Sequence, residues 1–288
     1  MPRVALATCA DLPDLADDDR LLIEPLRQYD IEAVPAVWDD AAVDWASFDL
    51  VVLRSPWDYA RRREQFLAWA YAVPRLFNPA KVVEWNTDKT YLRALSSAGV
   101  PVVPTRWYEP GDPVVDLPAD GEYVIKPAVS AGSIDTGRYR LADAEHRSLG
   151  HAHIDRLQSR GATTMLQPYF DGVDTAGETA MLFLGGRFSH AIRKAAILDG
   201  PDRGTEGLFR AERIDVRTPS DAEHAVARQA LRALPDDHEN LLYARVDLIP
   251  GSDGEPIVLE VELTEPSLFL GHGAGAPARL AEAIAARL

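Results

Sequence analysis

A single cysteine, Cys9, stands among 288 residues. No intrachain disulfide can form, and no Cys-built zinc site is available. Basic residues are also scarce, with 30 Lys and Arg against 45 Asp and Glu, for a formal charge of −15. So acidic a surface repels phosphate backbones, which argues against nonspecific binding to nucleic acid or to an anionic membrane. One local basic pocket stays compatible with that balance. Long apolar runs are missing too. The N-terminal run is about five residues, too short for a signal-peptide core. No stretch approaches the ~18 residues of a membrane helix. A soluble, cytoplasmic protein is the expectation. The chain has no internal repeat, no low-complexity tract, no Walker A motif and no Gly-x-Gly-x-x-Gly turn.

What is present is ordinary globular composition, 47% apolar and 26% charged. The length suits two domains, or one domain with a smaller insert. Residues 1–83 alternate strand signals (4–8, 31–38, 49–54) with helical spacing (17–29, 61–73), which predicts a parallel sheet with helices on its faces. Pro25 suggests a kink in the first helix. Thr87 is placed as the N-cap of a helix running to Ala98, and residues 100–108 as a strand. Residues 109–121 carry Glu109, Asp112, Asp116 and Asp120 with Pro and Gly, a passage into an inserted unit. The β-loop-β-α-β pattern of 122–167 reads as a lid. The organisation expected is an N-terminal βα domain (1–83), a core (84–108 and 168–288) and a central lid (109–167), an α/β fold overall with α+β character in the lid.

The chemistry concentrates in two β-rich runs joined by a Gly/Ser/Asp turn, 243–249 and 256–263, a hairpin signal. Strand alternation puts Ala244, Val246 and Leu248 on one face and Arg245, Asp247 and Ile249 on the other. In the second strand Ile257, Leu259, Val261 and Leu263 form an apolar face, with Val258, Glu260 and Glu262 opposite. Asp247, Glu260 and Glu262 then share a face. Three carboxylates so gathered repel one another, and a divalent cation such as Mg²⁺ relieves them. The competing reading is a wet strand face bearing acids. Lys126 ends a strand before the small-residue loop 128–137, where backbone N–H groups can approach an anion. A flexible surface loop fits that pattern as well. Gln167-Pro-Tyr-Phe170, followed by Asp174, reads as a hinge.

In this order, Asn86-Thr-Asp-Lys89, Tyr123-Val-Ile-Lys-Pro127, Gln167-Pro-Tyr-Phe170 with Asp174, Ala191-Ile-Arg193, Arg245-Val-Asp247 and Leu259-Glu-Val-Glu262 resemble the ATP-grasp superfamily over residues 86–272. Leu6-Ala-Thr-Cys9, Arg54-Ser-Pro-Trp-Asp-Tyr59 and Gly177-Glu-Thr179 are similar to its actinobacterial ligases, which include the O-ureidoserine cyclo-ligase of cycloserine synthesis. The resemblance implies ATP and Mg²⁺ as cofactors, with Mn²⁺ as an alternative ion. Lys89 and Lys126 would contact the α- and β-phosphates. The loop with Ser130, Gly132 and Ser133 would close over them. Gln167, Pro168, Tyr169 and Phe170 would meet adenine, and Asp174 the ribose. Asp247, Glu260 and Glu262 would bind the metal. Arg245 and Arg193 would stabilise the transferring phosphoryl group. Glu262 stands where many family members have Asn.

The implied activity is ligation: a carboxylate becomes an acyl phosphate, and a nitrogen nucleophile attacks it to give an amide or a ring. A phosphotransferase and a non-catalytic nucleotide-binding module are the alternatives. The partner expected is a small amino-acid-like substrate, and a homo-oligomer is left open. Arg54, Trp57 and Asp58 follow a parallel strand, where ligands bind, and join Ser267 and His272 as substrate-site candidates. A turn packed on the next helix explains 54–59 equally well, and a helix-entry loop explains 271–275. His151 and His153 are read as surface histidines.

Overall fold

The computed structural model describes residues 1–113, 117–202, 204, 213–235 and 240–288. Asp116 and the centre of the expected 109–121 loop lie outside the described residues. Apolar, β-branched runs build three sheets. The first is parallel, in the order β2-β1-β3-β4, from β1 (Arg3–Thr8), β2 (Glu32–Val37), β3 (Leu50–Ser55) and β4 (Leu76–Phe77). The two-residue β4 is too short to show a period and went unread. The expected 17–29 helix is two short ones, Asp17–Arg20 and Ile23–Arg27, and Pro25 lies in the first turn of the second, where its missing N–H costs little.

The second sheet is antiparallel, β5-β8-β6-β7, from β5 (Arg106–Tyr108), β6 (Glu122–Pro127), β7 (Gly137–Arg140) and β8 (Thr164–Pro168). The helix Ala144–Ser159 covers it. The strand expected over 100–108 shrinks to β5 and one bridge at Val102, because Pro101 and Pro104 cannot donate to a ladder. His153 is buried against Tyr139, whose hydroxyl lies 2.8 Å from its Nδ1. That corrects the surface reading. Burial and the nearby Arg156 push its imidazole down to about 4.

The third sheet carries the site. It is antiparallel, β11-β10-β9-β12-β13, from β9 (Glu178–Leu184), β10 (Arg187–Lys194), β11 (Ile214–Arg217), β12 (Tyr243–Pro250) and β13 (Pro256–Glu262). Both faces are covered. Met181, Phe183, Ala191, Ala244 and Val246 pack in one core. Ala180, Leu182, Ile192 and Tyr243 face the opposite way, into the core shared with the first sheet and the helix Ala276–Ala285. Two buried amides staple the N-terminal part to the hairpin. Asn78 donates to the carbonyls of Tyr243 and Leu263, and Asn86 donates to Val261 and accepts from the Leu263 N–H. Thr87 is not the expected N-cap. It closes the helix Ala80–Asn86, and its hydroxyl accepts from Arg63. Among the described residues no helix is long and apolar enough to cross a membrane.

Candidate active site

A cavity of about 420 Å³ opens where the three sheets meet. Its charged floor follows from strand parity. Glu178 on β9, Lys194 on β10, and Arg245 and Asp247 on β12 continue the face that carries Ala180, Ile192 and Tyr243. One face is therefore apolar where it meets the first sheet and ionic where it meets the cleft.

The hairpin pairs Arg245 with Glu262 and Asp247 with Glu260, so the three carboxylates share the cleft face as expected. The ladder slips by one residue between Asp247 and Leu248, and Leu248 pairs with Val258. That bulge corrects the expected faces. Val258 enters the core, and Leu259 lines the cleft.

Every one of these acids has a basic partner. Lys89 Nζ lies 2.9 Å from Glu260, and it donates to the Ser130 carbonyl at 2.8 Å. Lys194 joins Glu178 to Asp247, the latter at 3.0 Å. Arg245 donates to both oxygens of Asp247 and to Glu262, and to the Ser267 carbonyl at 3.1 Å. Burial opposes ionisation of Asp247 and Glu260, but Arg245 and Lys194 hold the first below its ordinary range, and Lys89 and Lys126 the second. Glu178 and Glu262 go the other way. Burial pushes Glu178 up to about 8, and burial with Glu260 and Asp247 pushes Glu262 up to about 7. Lys126 is buried and makes no ion pair among the described residues. Burial, with Lys89 and Lys194 nearby, lowers its pKa. An ammonium in that setting gains most from an incoming anion.

Among the described residues no three His, Cys, Asp or Glu side chains converge on a point that would hold a metal ion. The donor chemistry nonetheless suits a hard divalent cation, since Glu260, Glu262 and Asp247 offer carboxylate oxygens across two ladder steps. Their oxygens are turned toward Lys89, Arg245 and Lys194 here, and an arriving phosphate competes for those same cations.

The small-residue loop and the 167–170 segment also reach the cavity. Ser130, Gly132, Ser133, Gln167, Pro168, Tyr169 and Phe170 all line the cavity. Gly132, Ser133 and Asp135 are left-handed, which coils the loop tightly. The Gln167 amide donates to Thr105 at 2.9 Å. Ile249, Leu259, Val124 and Phe170 make this end apolar, which suits an aromatic base.

Five expected residues lie elsewhere. Asp174 turns outward to Arg138 and the Tyr169 hydroxyl. Arg193 has the wrong parity, and its guanidinium caps the carbonyls of Thr175 and Ala176. Lys194 is the β10 cation in the cleft. Asp58 accepts from the Trp38 indole at 2.8 Å and pairs with Arg62. His272 is outside the lining residues. Arg54 is fully buried, donating to Asp19 at 2.9 Å and to the Pro266 carbonyl at 2.8 Å. Trp57 and Ser267 do line the cavity. Glu178, Lys194, Tyr59 and Glu265 line it as well and were not named as site residues from sequence, although Tyr59 and Glu178 fall within the quoted motifs. The opposed charges of Glu178 and Lys194 on neighbouring strands were the one available signal.

Comparison with known proteins bears on this geometry. A family model described as the N-terminal domain of D-cycloserine synthetase DcsG matches residues 4–78. The chain is 39% identical to the cycloserine biosynthesis protein DcsG of Streptomyces lavendulae, over 99% of this chain and 98% of that one. The crystal structure of a D-cycloserine synthetase DcsG superposes with a TM-score of 0.86 at 36% identity, covering 99% of both chains. A RimK domain ATP-grasp protein from Sphaerobacter thermophilus gives a TM-score of 0.67 at 17% identity over 98% of this chain and 99% of that one, a likeness of fold alone.

Proposed function

The chain belongs to the family of the cycloserine biosynthesis protein DcsG, ATP-dependent ligases of the ATP-grasp fold, and from that premise we propose that it activates a small amino-acid-like carboxylate as an acyl phosphate and closes it into a ring. The substrate class is O-ureidoserine-like, in which a nitrogen bonded to the side-chain oxygen attacks the activated carboxyl carbon and phosphate leaves. The observation that carries this reading is the cleft itself. It has an apolar slot at one end and, at the other, a floor of paired charges around the ammonium of Lys126, which makes no ion pair among the described residues.

A carboxylate and a triphosphate repel, so cations must hold them together. Lys126 and Lys89 would bind the phosphates, the first without giving up an ion pair among the described residues and the second by exchanging Glu260. Lys194 and Arg245 stand over the carboxylate floor, where charge develops during phosphoryl transfer. Glu260, Glu262 and Asp247 would hold Mg²⁺, which supplies Lewis-acid neutralisation of the phosphates when bound. The loop carrying Ser130, Gly132 and Ser133 would shield the labile acyl phosphate from water. Gln167, Pro168, Tyr169 and Phe170 would receive adenine.

The test is ADP release with Mg²⁺ across amino acids, dipeptides and O-ureidoserine, with products read by mass. ADP together with a cyclic product supports the proposal. An intermolecular amide replaces ring closure with ordinary ligation, and a stable phosphorylated alcohol overturns the ligase chemistry proposed here.

A further inference from the structure

The segment 264–269 leaves β13 and runs along the cleft as irregular backbone, yet its carbonyls are held one by one. The Tyr243 hydroxyl lies 2.8 Å from the Thr264 carbonyl. The Trp57 indole donates to Glu265 at 3.0 Å, Arg54 to Pro266 at 2.8 Å, and Arg245 to Ser267 at 3.1 Å. His190 Nε2 closes the series at Leu268, 3.0 Å away. Five side chains from three distant stretches of sequence fix one short loop. Such a device makes sense where a side chain must be held in one place for a ligand.

The side chain it presents is Glu265. It lines the cavity beside Trp57, Tyr59, Ser267 and Phe269. Its carboxyl hydrogen-bonds the buried Tyr59 hydroxyl. Unlike Glu178, Asp247, Glu260 and Glu262, it makes no ion pair among the described residues. Lys89, a basic group whose charge acts on it, is already engaged by Glu260 and Ser130. An acid in a cleft, oriented by a hydroxyl, flanked by aromatic rings and without an ion pair among the described residues is a receptor for a small cation.

We propose that Glu265, oriented by Tyr59 and flanked by Trp57 and Phe269, binds the ammonium group of the amino-acid substrate and is the residue that selects α-amino acids over other carboxylates. The proposal rests on the ligase reading for the identity of the substrate. It places the ammonium end of the zwitterion at the 264–269 loop. The carboxylate end then points toward the cationic floor, where Arg245 reaches the same loop through Ser267. Burial and the neighbouring Glu262 hold the Glu265 carboxyl up to about 8, as an acid waiting for its counter-ion would be.

Binding of two probes decides it: O-ureidoserine and the same acid lacking its amino group. Each is titrated calorimetrically with Mg²⁺ and a non-hydrolysable ATP analogue present, while ring formation by the wild type is followed separately. The expected result is that wild type prefers the amino probe and that Glu265→Gln loses roughly 10- to 100-fold of this preference, with affinity for the ATP analogue unchanged. If Glu265→Gln fails to fold by circular dichroism, Tyr59→Phe carries the test, with a loss of roughly 2- to 10-fold in the same ratio. An unchanged ratio overturns the inference, and so does an equal loss of ATP-analogue affinity, which would assign Glu265 to the nucleotide or its metal. A Glu265-dependent preference without turnover supports the inference and defeats the cyclisation reading. Turnover with an unchanged ratio does the reverse.

Discussion

The charged floor of the cleft and the loop 264–269 are built on opposite plans. On the floor, acids and bases neutralise one another: Glu260 with Lys89, Asp247 with Arg245 and Lys194, Glu178 with Lys194. In the loop, the backbone is pinned by distant donors while its one acid carries no ion pair among the described residues. The difference teaches what each part is prepared for. Paired charges can change partners when phosphates and a cation arrive, whereas a pinned loop cannot move and so can discriminate. The floor is suited to chemistry and the loop to selection.

Four changes would break or sharpen that contrast. Glu260→Gln attacks the floor. Turnover should fall by about 10³-fold, the upper range for losing one preorganised electrostatic group, while binding of the amino acid stays as in wild type. A kcat near wild type would remove Glu260 from the metal and phosphate chemistry. Arg54→Ala attacks the loop from behind. It leaves Asp19 buried without its partner and frees the Pro266 carbonyl, so denaturant unfolding should show a loss of about 3–5 kcal/mol, with a raised KM for the amino acid in the fraction that folds. Unaltered stability would mean that the loop is not held through Arg54.

Lys126→Met removes the one cleft ammonium without an ion pair among the described residues. A fall of about 10²-fold in kcat/KM for ATP is expected, with KM for the amino acid unchanged. The smallest effect per group is on the pH dependence of folding. Glu178 and Glu265 titrate at about 8 and Glu262 at about 7 in the folded chain, against about 4.3 when unfolded. Between pH 6.5 and 8 the folded state therefore binds more protons than the unfolded one, and stability falls as pH rises, by at most about 1.4 kcal/mol per pH unit for each group. His153, at about 4, acts in the opposite sense below its unfolded value of about 6.5, so it offsets part of the decline below that pH and little of it above. Denaturant midpoints at pH 6.5 and 8 measure it, and a flat profile would contradict the buried setting of these acids beside neighbouring carboxylates.

The alternation of Arg245 and Asp247 was legible because a strand's period of two needs no tertiary information. The bulge beside Asp247 was not, since register depends on what the partner strand packs against, and it exchanged the faces of Val258 and Leu259. Choosing Arg193 over Lys194 failed for a related reason. Both faces of the third sheet are covered, so hydrophobicity does not mark which side meets the cleft. Of the substrate-site candidates Arg54 and Trp57, Trp57 lines the cavity, whereas Arg54 is buried and reaches only the Pro266 carbonyl of the cleft loop, 212 residues away in sequence. Glu265 lies past the last strand, where no periodicity applies. Its position depends on donors drawn from residues 54 to 245, which only the folded chain brings together.

The central claim, activation of a carboxylate by phosphorylation, is tested most directly with oxygen-18 in both carboxylate oxygens of O-ureidoserine. The account predicts that one labelled oxygen appears in each phosphate released with the ring product, because the carboxylate oxygen bonded to phosphorus leaves with it. Phosphate carrying no label, at full product yield, would contradict it.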